Sequence, residues 1–303
     1  MRAVRALSGF PPPRLRRPLL GLAACVFLIG SVVAVDRLHL AWSDVGWRWI
    51  VLASALGVPL TIVGKTVEFQ LSGRIIGAEF DFPTALRVSV LSTAANLLPI
   101  PGSVLVRIQA LRQAGNRYSR ATFATAVMGF AWVGVAATAA GGFLIAFGLL
   151  ITGLGWGLTG LALLGVTFSL ANTRLRSGTR IRFTAMVIGV ETLQVCVGAL
   201  RLYLVLLALG EPASLTAASL LTLASVLASA AGVFPGGLGL RELLATILIP
   251  LAGMAAAAGF LASAVDRIVG LAVHAPLAAA YALRREHRRS EPPADCDALP
   301  PPR

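Results

Sequence analysis

Apolar runs of membrane-span length recur along this chain, and that recurrence leaves few folds open to it. They cover approximately residues 18 to 35, 47 to 66, 84 to 98, 104 to 111, 121 to 150, 155 to 171, 183 to 209, 214 to 234, 240 to 249 and 253 to 283. A hydrocarbon core about 30 Å thick is crossed by roughly 20 helical residues. With no water inside a bilayer, the backbone must satisfy its own hydrogen bonds, which restricts spanning structures to helices and closed barrels. The runs lack the strict apolar-polar alternation of barrel strands. A chain that is 57% hydrophobic and 13% charged, with mean hydropathy +0.82, lies outside the soluble range. The fold class is therefore all-α, a polytopic helical membrane protein.

The net charge of +13 would suggest nucleic acid on a soluble protein. Here the basic residues punctuate apolar spans and act as orientation signals, and no nucleic-acid partner is expected. An inside N-terminus carries Arg2, Arg5, Arg14, Arg16 and Arg17, and the loop from Asp36 to Trp47 then lies outside. Lys65, Arg74 and Arg87 fall inside, as do Arg107, Arg112, Arg117 and Arg120. The glycine-rich turn at Gly153 to Gly157 falls outside, Arg174 to Arg182 inside, the turn at 210 to 214 outside, and the basic tail at 284 to 289 inside. This arrangement puts 21 of 26 basic residues on the cytoplasmic side. It divides the chain into a basic arm (1–17), one transmembrane domain (18–283) and a basic, then proline-rich tail (284–303) whose composition predicts disorder from Glu291. Residues 18–35 are long for a signal-peptide core and end in no clear small-x-small cleavage pattern, so they read as a retained first span.

Two of the runs are too short to cross, and each follows a proline-glycine break. The first break reads PGSVLVR from Pro101 to Arg107 and the second PGGLGLR from Pro235 to Arg241. Both flanks of 84–111 are cytoplasmic by charge, and 214–249 must begin and end outside. The expectation is six spanning helices plus two re-entrant hairpins of inverted orientation, with both termini cytoplasmic. A non-helical turn in hydrocarbon strands N–H and C=O groups, so it is tolerated only beside protein or a water-filled cavity. Pro101, Gly102, Pro235, Gly236, Gly237 and Gly239 would shape the tips. The helix restarting after Gly239 turns its N-terminal dipole toward the break, a setting that favours an anion, and Arg107 or Arg241 could pair with a phosphate in two-pronged geometry. The plainer alternative is that each break merely ends a helix and its arginine snorkels to the interface.

Ionisable groups inside spans are costly and mark candidate sites. Glu191, Gln194, Gly198 and Arg201 share one face of the segment 183–209. That face is either a polar pathway or a buried structural contact. Asp266 fits a partner for an arginine better than a proton carrier, with Arg267 and His274 nearby. Asn96 either caps backbone groups before the first break or touches ligand. Lys65 and Glu68 read as a local ion pair at a cytoplasmic helix end. Trp42, Trp47 and Trp49 read as interface anchors.

No GxSxG, HExxH or Walker A pattern occurs, and Cys25, Cys196 and Cys296 support neither a disulfide framework nor a metal site. The chain is therefore not expected to be an enzyme or to bind a cofactor.

The stretches NLLPIPGSVLVRIQALRQAG (96–115) and FPGGLGLRELL (234–244) resemble the two signature regions of the lysylphosphatidylglycerol synthase transmembrane region family. The likeness extends over roughly 15–290. Ser103 and Val104 stand where the family pattern has glycine followed by an acidic residue. The resemblance implies a multi-pass protein of the bacterial inner membrane, flippase-like, that binds and translocates a phospholipid or other lipid-linked anionic amphiphile. In this reading Arg107, Arg241 and Arg201 contact the phosphate, Glu242 marks the polar end of the second break, and Glu191 and Asp266 balance the charge. Without the soluble domain that makes aminoacylated lipid in some relatives, this chain is expected not to aminoacylate anything itself. The alternatives are a non-transporting scaffold that recruits a separate lipid-modifying enzyme, or a membrane-embedded lipid transferase.

Overall fold

The computed structural model describes residues 25, 27–41, 43–95, 102–173, 180–231 and 239–290. The described residues form helices joined by short turns, with no strand among them. In chain order they are α1 (27–37), α2 (Trp47–Ile75), α3 (Phe82–Ala95), α4 (Gly102–Gln113), α5 (Tyr118–Ala146), α6 (Leu150–Asn172), α7 (Arg180–Ala208), α8 (Leu215–Ala231), α9 (Leu240–Leu248) and α10 (Ala256–Ser290). Five helices are long and apolar enough to cross a membrane, namely α2, α5, α6, α7 and α10 over Ala256–Tyr281. The protein is thus an all-α, multi-pass membrane protein. The basic arm, most of the first apolar run, the proline-rich tail, Asn96, Pro101, Pro235, Gly236 and Gly237 lie outside the described residues.

Two boundaries differ from the sequence reading. Helix α2 does not stop near residue 66 but continues to Ile75, because the polar side chains that end the apolar run there are covered by neighbouring helices. The glycines at 153 and 157 make no turn. The chain reverses at Phe147–Leu149, and both glycines lie within α6, where they pack against α5. A Cβ on Gly141 would sit 2.4 Å from the backbone nitrogen of Gly157, and one on Gly160 would sit 2.6 Å from the carbonyl oxygen of Gly134. In lipid there is no hydrophobic gain between helices, so such small-residue contacts supply the dispersion that holds the pair together. The opposite side of α6 is open, with Ile151 87% exposed.

The other short elements form the interior. Helices α3 and α4 pack against each other, as do α8 and α9. At about 1.5 Å per residue, α8 is about 25 Å long and α9 about 14 Å, each shorter than the hydrocarbon core. Helix α8 is buried on most sides among α5, α7, α9 and α10. A second apolar cluster joins α2, α3, α4, α5 and α7 around Phe69, Leu111 and Met128. Between the two clusters runs the seam of α2 against α7, and the ionisable residues collect there.

Candidate functional site: a charged seam linking two helix breaks

The seam is built on glycine. A Cβ on Gly57 would lie 2.1 Å from Cγ of Arg201, and one on Gly64 would lie 2.9 Å from Cγ of Gln194. The two glycines are seven residues apart on α2 and their partners seven apart on the antiparallel α7, so bare backbone receives two long polar side chains about 10 Å apart. Gly57 closes a five-residue π-helical turn, Ala53–Gly57, which widens α2 where the Arg201 stem crosses it.

At one end of the seam Arg107, from α4, forms an ion pair with Glu68 of α2, and its Nη2 lies 3.4 Å from Glu68 Oε2. Gln194 Nε2 donates to Glu68 Oε2 at 3.1 Å and to Glu191 Oε2 at 3.1 Å, bridging two carboxylates with one amide. The local Lys65–Glu68 pair expected from sequence does not form. Glu68 faces Arg107, and Lys65 instead lies over the Trp132 ring with its ammonium 5.8 Å from the centroid. Both residues sit within α2, not at its end.

At the other end Asp266 of α10 binds two arginines. Arg201 Nη2 lies 2.6 Å from Oδ1 and also donates to the Asp266 carbonyl at 3.2 Å, while Arg241, the second residue of α9, pairs with Oδ2. Arg201 Nη1 donates to Thr61 Oγ1 at 3.4 Å. Next to this pair, Glu242 is wholly buried. Its Oε2 accepts the Gly239 N–H at 2.9 Å, and its Oε1 accepts Arg267 Nε at 2.8 Å. Gly239 has φ +79°, which L side chains rarely adopt, and this lets the chain enter α9 with its first amide aimed at Glu242. The N-terminus of α9, which the sequence reading offered to an external anion, therefore already holds the chain's own carboxylate. Gly102 has a packing role, since a Cβ there would overlap the carbonyl of Ala95 at 2.0 Å.

The structure brings Arg107, Glu191, Arg201, Arg241, Glu242 and Asp266 into this one region. Sequence reasoning passed over Glu68 as a partner of Arg107, and it left Arg267 without its carboxylate, Glu242. The signal for Glu68 was its place on the same helix face as Gly57 and Gly64; that for Arg267 was only its position beside Asp266. Arg201 is buried and Arg107 and Arg241 are partly buried, and among the described residues each keeps an enclosed Nε with no hydrogen-bond partner. Buried donors in folded proteins are nearly always paired, so this geometry suits an acceptor supplied from elsewhere. Arginine is matched to phosphate through its planar fork of donors.

A family model described as "Lysylphosphatidylglycerol synthase TM region" matches residues 18–278. No curated protein matches the chain.

Proposed function

The chain belongs to the lysylphosphatidylglycerol synthase transmembrane region family, and from that premise we propose that it binds and translocates a phospholipid or another lipid-linked anion across a bacterial inner membrane. The observation that carries this reading is the set of three arginines, Arg201 buried and Arg107 and Arg241 partly buried, whose enclosed Nε–H groups have no partner among the described residues. Each arginine is held by a carboxylate that an incoming phosphate can replace. The paired breaks act as re-entrant hairpins of opposite orientation, one opening toward the cytoplasm and one outward. The head group passes along the α2–α7 seam while the acyl chains stay in lipid.

The stepwise exchange follows from the charges. A phosphate diester entering beside α4 takes Arg107 from Glu68, and charge-assisted hydrogen bonds replace the ion pair. Moving about 10 Å along α7 brings it to Arg201 and Arg241, where it displaces Asp266 in the same way. No chemistry is done on the lipid, and the protein acts without a catalytic residue or cofactor.

The test is leaflet exchange in proteoliposomes, read as quenching of a fluorescent anionic phospholipid by a membrane-impermeant reductant. Wild type is expected to quench beyond the outer leaflet. Arg107→Ala and Arg241→Ala are each expected to slow the slow phase by about 10- to 150-fold, the loss of one charge-assisted hydrogen bond of about 1.5–3 kcal/mol. Quenching equal to that of protein-free liposomes with anionic, zwitterionic and cationic probes overturns the translocation reading. In that case a scaffold for a separate enzyme becomes the better account.

A further inference from the structure

Of the carboxylates in the seam, Glu68, Glu242 and Asp266 each form an ion pair with at least one arginine, and among the described residues Glu191 forms none. Glu191 is 0% exposed, and among the described residues its Oε1 has no hydrogen-bond partner and its carboxyl accepts only from the Gln194 amide that it shares with Glu68. Because one nitrogen reaches both acids at 3.1 Å, their accepting oxygens lie at most about 6 Å apart. Arg107 is paired with Glu68 and Lys65 lies over the Trp132 ring, so among the described residues no cation forms an ion pair with Glu191, and a second ionised carboxylate that close is costly. The charged groups facing Glu191 are Glu68 and Lys65 of α2 and Arg107 of α4. Arg201 lies further along α7, and His274 on α10 is turned toward its own helix, with Nδ1 2.8 Å from the Gly270 carbonyl.

We propose that Glu191 and Glu68, bridged by Gln194, form a proton-binding pair that couples movement of the anionic substrate to movement of a proton. The proposal rests on the translocation reading for its coupling, though not for the existence of the site. With the seam closed, Glu68 is ionised against Arg107 and Glu191 carries the proton on Oε1. When a phosphate draws Arg107 away, Glu68 loses its cation, and a second proton from the adjoining water binds there. When the anion leaves and Arg107 returns, that proton is released to whichever side is open. One anionic charge and one proton move together, and by thermodynamic reciprocity each strengthens the binding of the other. Glu191 keeps its own proton throughout, and Glu68 carries the one that moves.

Two measurements decide it. Infrared pH titration of the full-length protein in lipid nanodiscs is expected to show a protonated-carboxyl stretch near neutrality. That band is lost in Glu191→Gln and grows in Arg107→Gln, where Glu68 also takes a proton. Absence of the band, or its persistence in Glu191→Gln, overturns the site. In proteoliposomes carrying a fluorescent phosphatidylglycerol probe, a transmembrane pH gradient is expected to accelerate exchange by wild type and by Glu191→Gln, which mimics the protonated resident, and Glu68→Gln is expected to exchange at a rate indifferent to the gradient. An undiminished gradient response in Glu68→Gln overturns the coupling. Absence of exchange by wild type overturns both the translocation reading and the coupling, and the infrared band still decides whether the proton site exists.

Discussion

The two breaks share proline, glycine and arginine at the same spacing, yet they restart their helices at different places. After the first, α4 begins at Gly102, five residues before Arg107; after the second, α9 begins at Leu240, one residue before Arg241. The cause is local. Gly239 corresponds to Leu105 in register, and only the glycine can adopt the positive φ that postpones the helix. The next difference is at the residue after each arginine. Ile108 is buried in the apolar cluster of α2 to α5, whereas Glu242 is wholly buried against Gly239 and Arg267. Four residues after the arginines, Leu111 and Ala245 are both fully buried. One inward face thus serves two designs, one fastened by packing and a single ion pair, the other by a network of five ionisable side chains: Arg201, Arg241, Glu242, Asp266 and Arg267. The first break is the looser of the two, and it is the one proposed to face the cytoplasm.

This contrast can be broken in order of size. Asp266→Ala leaves two guanidiniums, that of buried Arg201 and that of partly buried Arg241, without their carboxylate and is expected to cost the upper part of the about 3–5 kcal/mol range for an orphaned buried charge. Glu68→Ala strands one arginine and is expected at the lower part of the same range, with Arg107 free to turn to Glu191. Thermal unfolding in detergent micelles compares the two, and a larger loss for Glu68→Ala would contradict the asymmetry. Gly239→Ala forces a Cβ into a left-handed conformation and is expected to cost about 1–2 kcal/mol, while Leu105→Ala at the matching position costs less.

The smallest effect concerns the turn that leads into the second break. Glu211 follows α7, its amide donating to the Leu206 carbonyl at 3.1 Å, and partial burial raises its carboxyl above the ordinary carboxylate range. A carboxyl raised in the folded state is neutral at no cost in acid and penalises folding once the pH exceeds its ordinary range. Glu211→Gln is therefore expected to raise the melting temperature slightly near neutrality, by a few tenths of a kcal/mol after allowance for solvent screening, and to leave it unchanged in acid. A stabilisation that persists in acid would assign the effect to something other than this charge.

Much of this was legible before any coordinates. Span-length apolar runs give the all-α membrane class, and the repeated Pro-Gly…Arg spacing marks the two short-helix pairs. Arg201 and Gln194 could be placed on one helix face from their seven-residue spacing. What the sequence concealed was partner choice. Glu68 follows Lys65 by three residues, and local spacing favours pairing them, but tertiary packing brings Arg107 across from another helix. Glu242 and Arg267 are 25 residues apart on helices whose angle no periodicity encodes. The glycines at 153 and 157 look like turn formers in one dimension, and only the approach of α5 shows that they are contact surfaces.

That approach has a consequence for how this protein can vary. At Gly153 and Gly160, on the edge of α6 that meets α5, even a methyl group overlaps main-chain atoms, so compensation by trimming a neighbour is closed off; along the opposite edge, Ile151, Leu158 and Leu161 are exposed. The helix is thus written in two alphabets. Those two positions admit a single letter and the outer edge any greasy one, so saturation mutagenesis of α6 should return near-total intolerance at Gly153 and Gly160 and near-total indifference at Ile151, Leu158 and Leu161.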